Sequence, residues 1–407
     1  PVKADLKARE ERYVMQTYKR AQVDFVRGEG AILVDDEGNE YLDFLSGISV
    51  ASVGHSNPAV VEAVREQVGT LMHVSNLFYT EPMVALAERL SEGSLGGRVF
   101  FCNSGTEANE CAIKIARKHA HGRGIEAPEI ISFNSDFHGR SYGALSATPA
   151  LAADPALGPM LAGFVSVDRD DAEALEAAVN ENTAAIFIEA IQGEAGVFVV
   201  EDRMLTLARD LCDRSGALLV LDEIQTGMGR TGSLWAYQQT PVRPDVITTA
   251  KALGGGVAIG ACITSPETAG VLEPGDHGST FAAGPVAASA AMAVLGIVDT
   301  PETLRRVREL GDRLTRRLQQ LDGVAEVRGR GLMIGVGLEE GLDAAAINTA
   351  LLGKGLIVNA PRPDTLRLLP PFIISDEQLE SAVGKIAEAL REAGDTNLKE
   401  TTAGGTK

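Results

Sequence analysis

The sequence is poor in cysteine, in aromatic residues and in positive charge. Its four cysteines (Cys102, Cys111, Cys212, Cys262) form no C-x-x-C pair and no metal-ligand spacing, so neither a disulfide framework nor a bound metal is expected. In a chain of 407 residues they read as buried free thiols of a reducing compartment. Lys and Arg number 37 against 56 Asp and Glu, a net charge of −19. A general nucleic-acid or anionic-membrane surface needs basic patches, and this balance argues against both. No apolar run approaches the length of a membrane span. The opening stretch PVKADLKAREERYVMQTYKR is charged throughout and lacks the apolar core of a signal peptide, so a cytoplasmic protein is expected. Neither internal repeats nor low-complexity tracts are present.

What the chain does have is an alternation of short β-rich runs and helical periods from about residue 99. RVFFCN leads into SGTEANECAIKIARKHAH, and EIISFN, FVSVD, AAIFIEAI, ALLVLDEI, DVITTA and AIGACITS follow, with helices such as DAEALEAAVNE and MLTLARDLCDRS between them. Nearly continuous apolar strands separated by helices imply a mostly parallel sheet covered on both faces. After Pro285 long helices take over, followed by β-rich segments and a last helix from Ser375, which reads as a smaller α+β domain. The segment AILVDDEGNEYLDFLSG reads as a hairpin on an Asp-Glu-Gly-Asn turn and is expected to join that smaller domain. The expected division is an N-terminal segment 1–55 within the small domain, a large α/β domain 56–285, a C-terminal small domain 286–395, and a flexible tail 396–407.

One glycine pattern is a decoy. GMGRTG after the strand GALLVLDEIQT matches GxGxxG at Gly227, Gly229 and Gly232. A dinucleotide site needs a helix opening there and an acidic residue at the end of the next strand. The sequence continues SLWAYQQTPVRPD instead, and Asp245 begins the next strand. The same strand offers more in Asp222 and Glu223, which end the apolar run ALLVL at the carboxyl edge of the sheet, where open α/β folds bind ligands. A carboxylate there is costly to bury without a cationic partner; the bland alternative is a helix cap or a bridge to Arg230. Lys251 ends a later strand on the same edge and is followed by glycines that admit close approach. An amine nucleophile facing a carboxylate is what pyridoxal phosphate requires, the lysine bonding the cofactor aldehyde and the aspartate keeping its ring nitrogen protonated. NSGTEANE, between a strand and a helix, offers free N–H groups to an anion, or a capping box of Ser104 or Thr106 with Glu107. Phe137 in DFHGR is either a ring clamp or core.

Taken with TYKR, VRGEGAILVDDEGNEYLDFLSGISV, GHSNP, SNLFYTEP, IQGEAGV, VLDEIQTGMGRTG, TTAKALGGG, GDHGSTF and LRLLPPFIIS, in that order along nearly the whole chain, these segments resemble the class-III aminotransferases. The resemblance implies the pyridoxal-phosphate-dependent transferase fold of type I, with a seven-stranded, mostly parallel sheet in the large domain. It makes Lys251 and Asp222 catalytic. It assigns Ser104, Gly105 and Thr106 to the cofactor phosphate, Phe137 to the ring face and Gln225 to the ring hydroxyl. Thr280 would reach the phosphate held by a neighbouring subunit, so a homodimer with shared sites is implied. Arg140 would bind the substrate carboxylate, Glu194 and Arg367 would form a pair, and Tyr18, Tyr79 and Ser279 would line the substrate entrance.

Within the family the likeness is greatest to members that move the terminal amino group of acetylornithine to 2-oxoglutarate, a step of arginine biosynthesis. Members acting on ornithine, succinylornithine, 4-aminobutyrate or a carrier-bound lysine share nearly all of these residues. A dinucleotide oxidoreductase and a non-catalytic binding protein are the readings from other classes. The chain departs from the family at Ala282-Ala283-Gly284, where Gly-Gly-Asn is more frequent and a local hydrogen bond is put in doubt, and at Ala190, which stands where proline is frequent.

Overall fold

All six residues of Thr183–Ile188 and all five of Leu218–Asp222 are buried, as befits parallel strands covered on both faces. The structure, a computed structural model, describes the backbone of residues 3–404 and the side chains through residue 395. These two strands lie near the middle of a seven-stranded sheet. From one edge its order is Val99–Cys102, Gly260–Thr264, Val246–Thr249, Leu218–Asp222, Thr183–Ile188, Glu129–Phe133 and Phe164–Val167. Gly260–Thr264 runs antiparallel to both neighbours, and the other pairings are parallel. The carboxyl ends of the parallel strands therefore share one edge, where Asp222 ends its strand.

Helix Gly105–Gly122 crosses the sheet on an alanine-rich face, burying Ala108, Cys111, Ala112, Ile115 and Ala116. That spacing is one stripe of a 3.6-residue period. Ser104 caps it by accepting the Glu107 N–H. Glu107 returns the bond to the Ser104 hydroxyl at 3.0 Å and to the Asn103 N–H at 2.8 Å, a capping box displaced by one residue. Helix Pro285–Val298 packs on Pro58–Thr70 and Glu81–Glu92. Helix Pro301–Leu318 buries Val307, Leu310, Leu314 and Leu318 and leaves its arginine-rich face outward.

The N-terminal hairpin forms as Ile32–Asp35 and Glu40–Asp43, and its second strand pairs in parallel with Leu356–Ile357. A further antiparallel sheet contains Val324–Arg330, Met333–Leu338, Thr365–Leu368 and Asn359–Arg362. The last helix, Asp376–Gly404, carries its backbone through most of the expected tail, and residues 405–407 lie outside those described. All four cysteines are buried and free. Among the described residues no helix is long and apolar enough to cross a membrane.

The GMGRTG segment opens no helix; it is a chain of turns. Nor does Arg230 bridge Asp222. Its buried guanidinium donates to Ser49 Oγ at 2.9 Å, Ser52 Oγ at 2.6 Å and the carbonyls of Leu332 at 3.1 Å and Pro370 at 2.6 Å, over the Phe372 ring. Burial presses its pKa down to about 9 while Asp43 opposes, which leaves it charged at neutral pH. Arg230 thus ties the turn to the N-terminal loop and the C-terminal sheet. Arg230→Met leaves four buried acceptors without their donor and is expected to cost about 3 kcal/mol or more, read as a lower urea midpoint. A midpoint equal to wild type would show that the four bonds are dispensable.

Candidate active site

Asp222 and Glu223 are adjacent, and strand alternation sends them opposite ways. The buried Glu223 accepts from Thr226 Oγ1 at 2.6 Å and from the N–H groups of Ala236 and Tyr237 at 3.0 and 2.8 Å. It caps the turn that follows, and burial lifts its carboxyl to about 7. Asp222 faces a cavity of ≈ 500 Å³ that is also lined by Tyr18, Ser104, Gly105, Thr106, Phe137, Arg140, Gln225 and Lys251. Sequence positions spread over more than 230 residues therefore meet at one strand edge.

Lys251 does not end a strand. Val246–Thr249 stops two residues earlier, and Lys251 opens the 3-10 turn Lys251–Gly254 with φ +43°. A left-handed backbone at a non-glycine residue costs about 1–2 kcal/mol, so surrounding contacts must impose it. The effect is to turn the side chain off the sheet and into the cavity wall. Burial lowers the Lys251 pKa; Glu194 opposes that shift, and Arg367 adds to it.

The cationic partner of Asp222 is His138, whose Nδ1 donates to Asp222 Oδ2 at 2.9 Å. Asn109 Nδ2 donates to the same oxygen at 2.8 Å and the Ile224 N–H to the other at 2.9 Å. Asp136 Oδ2 stands 3.7 Å from the far His138 nitrogen, and the imidazole stacks on Phe187 at 4.1 Å between ring centroids. Burial works against the imidazolium, but Asp136 and Asp222 outweigh it and lift His138 to about 10. Glu189 directly follows the neighbouring strand Thr183–Ile188, as Asp222 ends its own. Burial, with Asp136 and Asp222, raises its pKa far above the carboxylate range, and its Oε2 accepts the Phe137 N–H at 2.9 Å. Sequence reasoning passed over His138, Asn109, Asp136 and Glu189. A signal existed for two of them, since His138 sits inside FHGR and Glu189 directly follows an apolar strand.

Glu194 and Arg367 pair at 2.7 Å. Arg367 is wholly buried and also donates to Asn359 Oδ1 at 3.1 Å and Gln225 Oε1 at 3.2 Å. Glu194 keeps 35% of its side chain exposed, so the carboxylate, not the guanidinium, is the partner with room to move. Burial acts to raise the Glu194 pKa, and Arg367 more than reverses it. Arg140 is exposed, lies over the Phe137 ring at 5.0 Å and, among the described residues, makes no ion pair. Ser279 Oγ accepts from Asn103 Nδ2 at 3.0 Å.

Five expected residues, Glu194, Arg367, Ser279, Tyr79 and Thr280, do not line this cavity. Tyr79 is 95% exposed, and Thr280 is exposed on the chain's surface. Thr280 does not cap helix Pro285–Val298 either, because Gly284 occupies that position with no side-chain bond. In the loop that lacks the frequent asparagine, Asn76 Nδ2 donates to the carbonyls of Ser279 and Ala282 at 2.8 and 3.3 Å.

The residues present fit pyridoxal phosphate. Gly105 and Thr106 open their helix, so their N–H groups have no carbonyl a turn back to donate to and face the cavity as an anion site. Gly139 has φ +138°, and a Cβ there would collide with Thr106 Oγ1, so the ring-side loop closes directly on this cradle. A half-buried amine and a carboxylate complete the set on the same cavity.

The class-III aminotransferase family model matches residues 13–390. The chain belongs to the class-III aminotransferases, and with that family it is a pyridoxal-phosphate-dependent transaminase. Among its relatives, the acetylornithine aminotransferase of Caldanaerobacter subterraneus is 44% identical over 94% of this chain and 98% of its own length. That of Methanopyrus kandleri is 45% identical over the same shares. The crystal structure of ornithine aminotransferase from Toxoplasma gondii superposes with a TM-score of 0.92 at 34% identity, covering 96% of each chain.

The His138 shift carries a pH signature. A folded pKa of about 10 against about 6.5 unfolded means His138 stabilises the fold fully below about pH 6.5 and loses that contribution as pH rises toward about 10. His138→Gln should flatten the fall of Tm over that window relative to wild type. An identical slope in both proteins would show that His138 does not titrate there.

Proposed function

We propose that the protein transfers the terminal amino group of N2-acetylornithine to 2-oxoglutarate in two successive half-reactions at this cavity. The observation that carries the reading is the Glu194–Arg367 pair beside Gln225, together with an unpaired Arg140. One pocket must accept glutamate, with two carboxylates, and a donor whose far end differs. Arg140 takes the carboxylate common to both. Glu194 neutralises Arg367 for the amine donor and swings away to release it for glutamate. The relatives named for acetylornithine, at 44–45% identity, favour that donor over ornithine, whose named structural neighbour is 34% identical.

When bound, pyridoxal phosphate supplies an aldehyde for covalent attachment and a ring that takes up an electron pair from the substrate carbon. Gly105 and Thr106, with Ser104, would hold the phosphate, and Phe137 would cover the ring face. Asp222, held in place by His138, Asn109 and the Ile224 N–H, would meet the ring nitrogen. Gln225 would reach the ring hydroxyl. The lowered pKa of Lys251 leaves more of its Nζ neutral, first as nucleophile and then as the base that moves a proton from the substrate carbon. Tyr18 and Ser279 border the entrance.

Assembly is part of this reading. Leu77, Phe78, Tyr79 and Phe281 are 85%, 65%, 95% and 69% exposed, an apolar display that a second copy of the chain would cover. Thr280 stands beside it and would complete the partner's phosphate site, with Tyr79 at its entrance. Residues 56–285 are taken as the cofactor-binding domain, and 1–55 with 286–395 as the small one, on the grounds that the N-terminal hairpin pairs with Leu356–Ile357. Four buried free thiols support a cytoplasmic setting.

Lys251→Ala should lose turnover by more than about 10³-fold, and borohydride should fix the cofactor of the wild-type protein on Lys251; fixation on another lysine removes the assignment. Glu194→Gln should keep or speed the glutamate half-reaction in stopped flow and slow that with acetylornithine, whereas equal losses would make Glu194 a mere support. Mixing Lys251→Ala with Thr280→Ala chains at limiting cofactor should restore activity above either alone. No recovery despite demonstrated subunit exchange would count against the shared site.

A further inference from the structure

Three residues on one face of helix Gly105–Gly122 reach a single loop. Thr106 Oγ1 lies 2.7 Å from Ser141 Oγ and accepts the Ser141 N–H at 3.2 Å. Asn109 Nδ2 donates to the His138 carbonyl at 2.7 Å. Glu110 Oε1 accepts the N–H groups of Gly143 and Ala144 at 2.8 and 3.2 Å. Positions 106, 109 and 110 are three and four residues apart and so share a face. The loop they hold carries Phe137, His138 and Arg140.

Thr106 and Asn109 are already engaged with the cavity or with Asp222. Glu110 does not line the cavity; its carboxylate instead meets the first turn of the short helix Tyr142–Ser146. A Cβ at Gly143 would collide with that carboxylate, so the contact has no slack. Arg140 is exposed and makes no ion pair among the described residues, so besides its contact with the Phe137 ring its backbone sets where the guanidinium stands. That backbone is anchored at Ser141 by Thr106 and at Gly143 and Ala144 by Glu110.

We propose that Glu110 is a positioning residue for Arg140, fixing through the Gly143 and Ala144 N–H groups the point from which that guanidinium meets the substrate carboxylate. The inference rests on the reading of Arg140 given above. A small displacement of a binding group is enough to weaken substrate capture while leaving the chemical step intact.

The test compares holoenzymes. Glu110→Ala should raise KM for both acetylornithine and 2-oxoglutarate about tenfold with kcat within about threefold and the bound-cofactor absorbance unchanged. Glu110→Gln, whose amide oxygen accepts the same bonds, should return KM to the wild-type value. Asp171→Ala removes the cap of the distant helix Ala172–Ala178 and should lower Tm without moving KM. A Glu110→Ala protein with lowered Tm and unchanged KM would overturn the inference. Should that variant fail to fold, Glu110→Asp, one methylene short of the N–H groups, carries the same expectation and the same reversal. Arg140→Ala separates the two readings. If it leaves KM unchanged, the role of Arg140 itself falls; if it raises KM and neither Glu110 variant does, only the positioning role falls.

Discussion

The Asp222 carboxylate is buried at the end of a fully buried strand, and much of the site is arranged around the cost of keeping it charged there. Isolated charge in such surroundings costs several kcal/mol. Three groups from three elements meet that cost: the His138 imidazole from a loop, the Asn109 amide from a helix, and the Ile224 N–H from the turn that follows the strand. Satisfying one carboxylate therefore fixes helix, loop and strand relative to one another. The start of that helix and the Phe137 loop come into register on one cavity as a consequence.

A second layer of carboxylates makes the imidazole useful. Asp136 and Asp222 flank His138 and hold it cationic, and Glu189, burdened by both acids, is pushed toward its neutral form. Glu189 accepts the Phe137 N–H, so it steadies that loop. Opposite them, Lys251 feels burial and the nearby Arg367, and its amine loses protons more readily than an exposed lysine. One crevice thus holds His138 charged and shifts Glu189 and Lys251 toward neutrality.

The Glu194–Arg367 pair shows how burial assigns motion. Arg367 is enclosed and bonded to Asn359 and Gln225 as well as to Glu194, whereas Glu194 keeps a third of its surface in solvent. Moving the arginine would strand three acceptors.

The sequence alone determined the parallel sheet, through apolar runs too continuous for a one-sided strand, and it determined the placement of Asp222 at that sheet's carboxyl edge. It also dismissed the GxGxxG decoy, because no helical period follows. These are local patterns, and local patterns are written in sequence order. It placed Lys251 at a strand end, where the chain leaves the sheet two residues earlier and turns left-handed. It named Arg230 as the alternative partner of Asp222, a place taken by His138. Glu189 carried the same signature as Asp222, an acid closing an apolar run, and went unread because its meaning depends on Asp136 standing close by. Which acid finds a cation, which must hold its proton, and which of Asp222 and Glu223 faces the cavity are decided by neighbours more than ten residues distant along the chain. Those neighbours exist only once the tertiary structure has excluded water and made every buried charge answer to another.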